Sequence, residues 1–72
     1  MTLRKRSVLL AGHATSIALE PAFWSVLERI AEERGLSLAA LLTELDQRRG
    51  AQPLASAART AALAYALERG GG

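Results

Sequence analysis

The stretch Ala14–Trp24, ATSIALEPAFW, constrains this chain more than any other. Thr15, Ile17 and Leu19 alternate with Ala14, Ser16 and Ala18, and successive side chains on a strand point to opposite faces, so a short strand with an apolar face is predicted. Glu20 and Pro21 then end the strand and open a helix. Proline suits a first helical turn because it has no N–H to leave unpaired, and a carboxylate suits the positive end of the helix dipole. A lone strand leaves a row of N–H and C=O groups without partners. It needs a partner, and a second copy of itself is the simplest one.

Size points the same way. A single domain of 72 residues buries only about 60% of its unfolded surface and is marginal alone. With no cysteine, neither disulfides nor thiolate-held metal can help, which leaves oligomerisation. Half the residues are apolar but only Phe23, Trp24 and Tyr65 are aromatic, a balance that suits a helical core of Leu and Ala. No apolar run approaches the roughly 18–20 residues that cross a bilayer. The opening MTLRKRSVLLAG places a basic cluster before Val8–Ala11, but that apolar segment is shorter than the ~7–15 residues of a signal-peptide core. A cytoplasmic protein is expected.

Charge is distributed unevenly. Residues 1–19 carry Arg4, Lys5 and Arg6 and no acid, whereas residues 20–35 carry Glu20, Glu28, Glu32 and Glu33 against Arg29 and Arg34. A basic cluster beside a strand is the smallest electrostatic footprint for nucleic acid, and a solubilising tail has the same composition.

Residues 1–6 read as a basic arm. Val8, Leu9 and Leu10 in Ser7–Ala11 suit a strand, and two arrangements are open: a hairpin with a Gly12–His13 loop of type II′, or one long strand bent at Gly12. The first helix starts near Pro21, with Phe23, Leu27 and Ile30 on its apolar stripe, Trp24 and Ala31 adjoining, and Gly35 as its stop. Ser37 is a ready N-cap for a second helix that buries Leu38, Leu41, Leu42 and Leu45 and ends before Gly50. After the Gly50–Pro53 loop, an Ala-rich third helix over Leu54–Arg69 offers Leu54, Ala57, Ala58, Ala61, Ala64, Tyr65 and Leu67 for packing. Arg59 is placed to pair with an acid on one of the first two helices.

Catalysis is not expected. The single histidine, His13, sits in a turn, and no nucleophile, base and orienting group share a recognisable spacing. There is no phosphate-binding glycine loop, and no His or carboxylate cluster for a metal. No cofactor is expected either.

The segment TSIALEPAFWSVLERIAEERGLSLAALLTEL, Thr15–Leu45, resembles the ribbon-helix-helix family of bacterial and phage DNA-binding proteins, the superfamily of the MetJ and Arc repressors. KRSVLLAGH before TSIALE and FW is similar to a small bacterial branch in which an extra C-terminal helix follows. The resemblance implies a mainly α fold with one short β-ribbon, an intertwined homodimer, and a third helix. The chain then divides into an arm at 1–6, one domain at 7–69 and a flexible glycine tail at 70–72. In that family two strands pair antiparallel and enter the major groove. Ala14, Ser16 and Ala18 would face the bases. Ile17, Leu19, Phe23, Trp24, Leu27, Leu41 and Leu45 would fill a dimer core. The start of the second helix, Leu36, Ser37 and Leu38, resembles the family's phosphate clamp, and Arg4, Lys5, Arg6 and His13 would add phosphate contacts.

Alanine, serine, alanine departs from what base reading needs, because bidentate pairs to G or A require long polar side chains. Two functions therefore stand: a dimeric DNA-binding transcriptional regulator, or a dimerisation and protein-interaction module of adaptor or antitoxin type with little sequence-specific DNA binding. Double-stranded DNA, a second copy and a protein partner are the expected partners, and a membrane is not.

Overall fold

The computed structural model describes residues 2–70. Its elements are β1 (Arg4–Leu10), β2 (His13–Leu19), α1 (Pro21–Arg34), α2 (Leu38–Arg48) and α3 (Leu54–Gly70). The two strands make one antiparallel sheet, with Arg4 opposite Leu19, Ser7 opposite Ser16 and Leu10 opposite His13. The ribbon is thus a hairpin within one chain, and β2 finds its partner in β1 where a second copy was expected.

Three further details of the ribbon differ from expectation. The loop is Ala11–Gly12, not Gly12–His13, and His13 already belongs to β2. Ala11 at φ 51 and Gly12 at φ 84 both take positive φ, as a type I′ turn requires, instead of type II′ with one such residue. β1 also begins at Arg4, so Arg4, Lys5 and Arg6 belong to the ribbon and not to an arm. The cause is backbone pairing along the whole of β2, helped by the Trp24 indole Nε1–H, which donates to the Arg4 carbonyl at 2.8 Å. The tail expected at 70–72 lies, past Gly70, outside the described residues.

Alternation on β2 follows the sequence: Ile17 and Leu19 are buried, Thr15 is partly covered and Ser16 is exposed. On β1 the same alternation turns Arg6, Val8 and Leu10 inward and Lys5, Ser7 and Leu9 outward. Beneath the ribbon, Trp24, Leu27, Leu41 and Leu42 fill the core with Leu10, Ile17 and Leu19. Of the residues expected in a core shared by two chains, Ile17, Leu19, Trp24, Leu27 and Leu41 are buried within one, and Phe23 and Leu45 pack at its margin.

α1 ends in a Schellman motif. Gly35 at φ 68 lets its own N–H reach the Glu32 carbonyl and lets the Leu36 N–H reach the Ala31 carbonyl, at 3.2 and 2.8 Å. Ser37 Oγ then accepts from the Ala40 N–H at 3.0 Å and caps α2. On α3 the buried stripe runs through Ala57, Ala58 and Ala62, with Leu54 and Tyr65 packed beside it. Ala64 and Leu67, expected to pack, are exposed. They fall on the far side of a 3.6-residue period from Ala58 and Ala62. α3 is tied to α1 by Arg59 to Glu20 at 2.9 Å, and by Glu33, which accepts from both Tyr65 and Arg69.

Candidate nucleic-acid interface

The ribbon has one face on the helices and one face in solvent. Outward, the opposing pairs are Lys5 with Ala18, Ser7 with Ser16, and Leu9 with Ala14. The two serine hydroxyls lie 3.5 Å apart at the centre, and Leu9 is 63% exposed. Ala14, Ser16 and Ala18 were legible as outward residues. Lys5, Ser7 and Leu9 were not, although KRSVLL carries the same two-residue alternation and would have shown them once β1 was extended back to Arg4.

The basic cluster divides by side. Lys5 points outward, whereas Arg6 points inward, with Nη1 donating to Glu28 Oε2 at 3.0 Å and its guanidinium 4.8 Å above the Trp24 ring. Arg6 is therefore held by the body of the domain, away from a ligand on the outer face. Among the described residues, Arg4 and Lys5 make no ion pair. Two acids that reach or adjoin the ribbon are partnered, Glu28 by Arg6 and Glu20 by Arg59. Its own backbone first, and then the Arg59 guanidinium, hold the Glu20 carboxyl below the ordinary carboxylate range. The field at the ribbon is thus carried by Arg4 and Lys5, with no acid on the outward face.

Arg4 and Arg6, two residues apart on β1, meet Trp24 and Glu28, four apart on α1. Arg4 lies opposite Leu19, next to the start of α1, whereas His13 lies opposite Leu10 beside the turn. Arg4 and Lys5 lie with the start of α1. The hairpin turn lies at the other end of the ribbon, with His13 exposed beside it. On the ribbon, the residues expected to contact phosphate therefore form two groups at opposite ends.

At the start of α2, the Leu36 N–H is spent on the Ala31 carbonyl and the Ala40 N–H on Ser37 Oγ. Among the described residues, the N–H groups of Leu38 and Ala39 have no protein acceptor. Such groups and the positive end of the helix dipole together favour an anion. Leu36 therefore contributes no N–H of its own, and Ala39, which sequence reasoning missed, does. Its side chain gives no signal; only counting positions from the cap would have found it.

Two open grooves, about 360 and 290 Å³, flank Tyr65 between α1 and α3. The Glu33 interaction holds the Tyr65 hydroxyl above its ordinary pKa. Among the described residues no three His, Cys, Asp or Glu side chains cluster as a metal site, and no helix is long and apolar enough to cross a membrane.

A two-stranded ribbon, a helix ended by a glycine turn and a second, serine-capped helix together define the ribbon-helix-helix architecture, here with a third helix added. The family model for the ribbon-helix-helix domain matches residues 3–66, and the chain belongs to that family. Members of the family are generally DNA-binding transcription regulators or antitoxins. No curated protein and no solved structure matches the chain.

Proposed function

We propose that the chain is a dimeric DNA-binding protein of the bacterial cytoplasm that regulates transcription by laying the outward face of its ribbon in the major groove. The observation that carries this is the uncovered face itself, small and polar at its centre, with Lys5 as its one charge. A major groove about 12 Å wide admits a two-stranded ribbon. Lys5 can reach O6 and N7 of guanine, Ser7 and Ser16 can hydrogen-bond either strand's base edges, and Ala14 or Ala18 can meet a thymine methyl. Arg4 at one end of the ribbon, His13 at the other, and the Leu38 and Ala39 N–H groups at the start of α2 take the flanking phosphates. Two serines and one lysine make a lean reader, so most of the affinity comes from phosphate.

Fluorescence anisotropy with a labelled duplex over a salt series tests this. Log K should fall linearly with log salt, with a slope of about −0.9 per phosphate neutralised. A folded protein that fails to bind duplex even at low salt refutes it.

Leu9 favours a second function. A leucine 63% exposed at the rim of a face that also carries Ala14 and Ala18 is suited to protein contact, as in an adaptor or antitoxin. Under this alternative, Leu9→Ser abolishes capture of a stoichiometric protein partner while Lys5→Ala leaves it intact; the opposite pattern removes it.

A further inference from the structure

We infer that the hollow beside Val26 and Ala66, between α1 and α3, is a binding site for a small apolar monocarboxylate whose charge is taken by Arg29. Two open hollows meet at Tyr65 and Arg69, and their linings differ. The larger, about 360 Å³, sets Glu33 and Glu68 against Arg34 and Arg69, two acids against two bases. The smaller, about 290 Å³, has Val26 and Ala66 beside Tyr65, with Arg29 and Arg69 and no acid among the described residues. Only the smaller one has a charge left for a ligand.

Helical spacing builds this arrangement. Val26 and Arg29 are three apart on α1, and Ala66 and Arg69 three apart on α3, so each helix sets a guanidinium about one turn beyond an apolar side chain. Ala66 ends at its methyl group, and a longer side chain there would fill the space. Val26 is half-buried and forms the other part of the apolar surface.

The two guanidinium groups are not equivalent. Arg69 is engaged with Glu33, which also accepts from the Tyr65 hydroxyl, and its guanidinium lies 5.3 Å from the centre of the Tyr65 ring. Arg29 is exposed and makes no ion pair among the described residues. The hydrogen bond to Glu33 is the main cause of the raised Tyr65 pKa, and the charges of Arg69 and Arg29 oppose it, so both cations act on the same hydroxyl. Glu33 offsets one of them. One positive charge then remains at the edge of an apolar surface, and a monoanion matches it. A phosphate dianion would bring a second charge with no partner there, at a desolvation cost. The forked donors of a guanidinium also fit the two oxygens of a carboxylate. The ligand's apolar body lies on Val26 and Ala66 against Tyr65. At about 290 Å³ the hollow is just below the usual range of ligand pockets, roughly 300–1,000 Å³, which suits a body of one or two rings. The site depends neither on the ribbon nor on DNA.

Cinnamate titrated into isotope-labelled protein, with cinnamamide as its uncharged counterpart, tests this by nuclear magnetic resonance. Cinnamate should shift the amide signals of Val26, Arg29, Ala66 and Arg69 saturably, and cinnamamide should bind at least about tenfold more weakly, as loss of a charge-assisted hydrogen bond requires. Arg29→Gln should weaken cinnamate by the same factor and leave cinnamamide unchanged. Ala66→Leu should abolish binding of both by filling the hollow, with helical circular dichroism retained in each variant. No saturable shift with cinnamate at millimolar concentration overturns the site. Equal binding of acid and amide to the unaltered chain overturns the role of Arg29, and so does undiminished cinnamate binding by Arg29→Gln.

Discussion

Lys5 and Arg6 are neighbours of like charge, and the fold predicts that they fail differently when removed. Lys5 is on the outward face without an acid, and Arg6 is tucked between Glu28 and Trp24. In a dimer, Lys5→Ala removes two phosphate-facing or groove-facing cations and should reduce the salt slope by about 1.8. Between about 50 and 200 mM salt, that slope amounts to about a twelvefold difference in how much affinity is lost. Thermal stability should hardly move, because Lys5 makes no ion pair and a surface change away from such contacts is worth within about 0.5 kcal/mol. Arg6→Ala should do the reverse. It loses a partly exposed ion pair worth about 0.2–1 kcal/mol and a cation–π contact worth about 0.5–1 kcal/mol, together with the packing of its aliphatic stem. A loss of about 1–2 kcal/mol lowers the melting temperature of a domain this small by roughly 5–15 °C. Anisotropy on a salt series gives the slope, and differential scanning calorimetry without DNA gives the stability. Equal slope changes from the two variants, with unchanged melting temperatures, would refute the placement of Arg6.

Gly35→Ala forces an alanine into the left-handed turn at φ 68 and should cost about 1–2 kcal/mol, read by urea denaturation, with no change in the salt slope. Ser37→Ala removes the cap on α2 and should cost about 1 kcal/mol; Ser37→Asp should restore that stability while weakening DNA binding, since a carboxylate would then occupy the anion position. Leu42→Ala, at a side chain with no exposure, should cost about 2–5 kcal/mol and leave little folded protein. Acid should destabilise the fold through Glu20 and Glu44, whose carboxyls are held low, the first mainly by backbone and Arg59, the second mainly by Arg34. Because the folded pKa values are depressed, the stability they contribute is present above the unfolded values and is lost as pH falls through the folded ones. Glu20→Gln should flatten the fall of melting temperature below the ordinary carboxylate range, and an unaltered pH profile would contradict the Arg59 pairing.

The helices were legible because their ends carry local chemistry. Pro21, Gly35 and Ser37 mark boundaries whatever the rest of the chain does, and the inward face of β2 followed from Ile17 and Leu19 alone. β1 was obscured because three consecutive cations look like solvated chain. What makes them a strand is pairing with Ile17, Ala18 and Leu19, which no short window contains. Arg6 hides its role for the same reason, its acid being Glu28, a helix away. The turn was misplaced by one residue because glycine advertises a positive φ and Ala11 does not. On α3 an Ala-rich sequence offers too little contrast between faces, so Ala64 and Leu67 could not be told from Ala58 and Ala62.

The bond from the Trp24 indole to the Arg4 carbonyl also gives the molecule an optical gauge. Trp24 is the only tryptophan, it is 2% exposed, and its cover on one side is the end of the ribbon. Its emission wavelength therefore reports whether the ribbon is seated, with no label attached. A red shift arising ahead of any loss of helical circular dichroism would time the detachment of the ribbon separately from the melting of the helices.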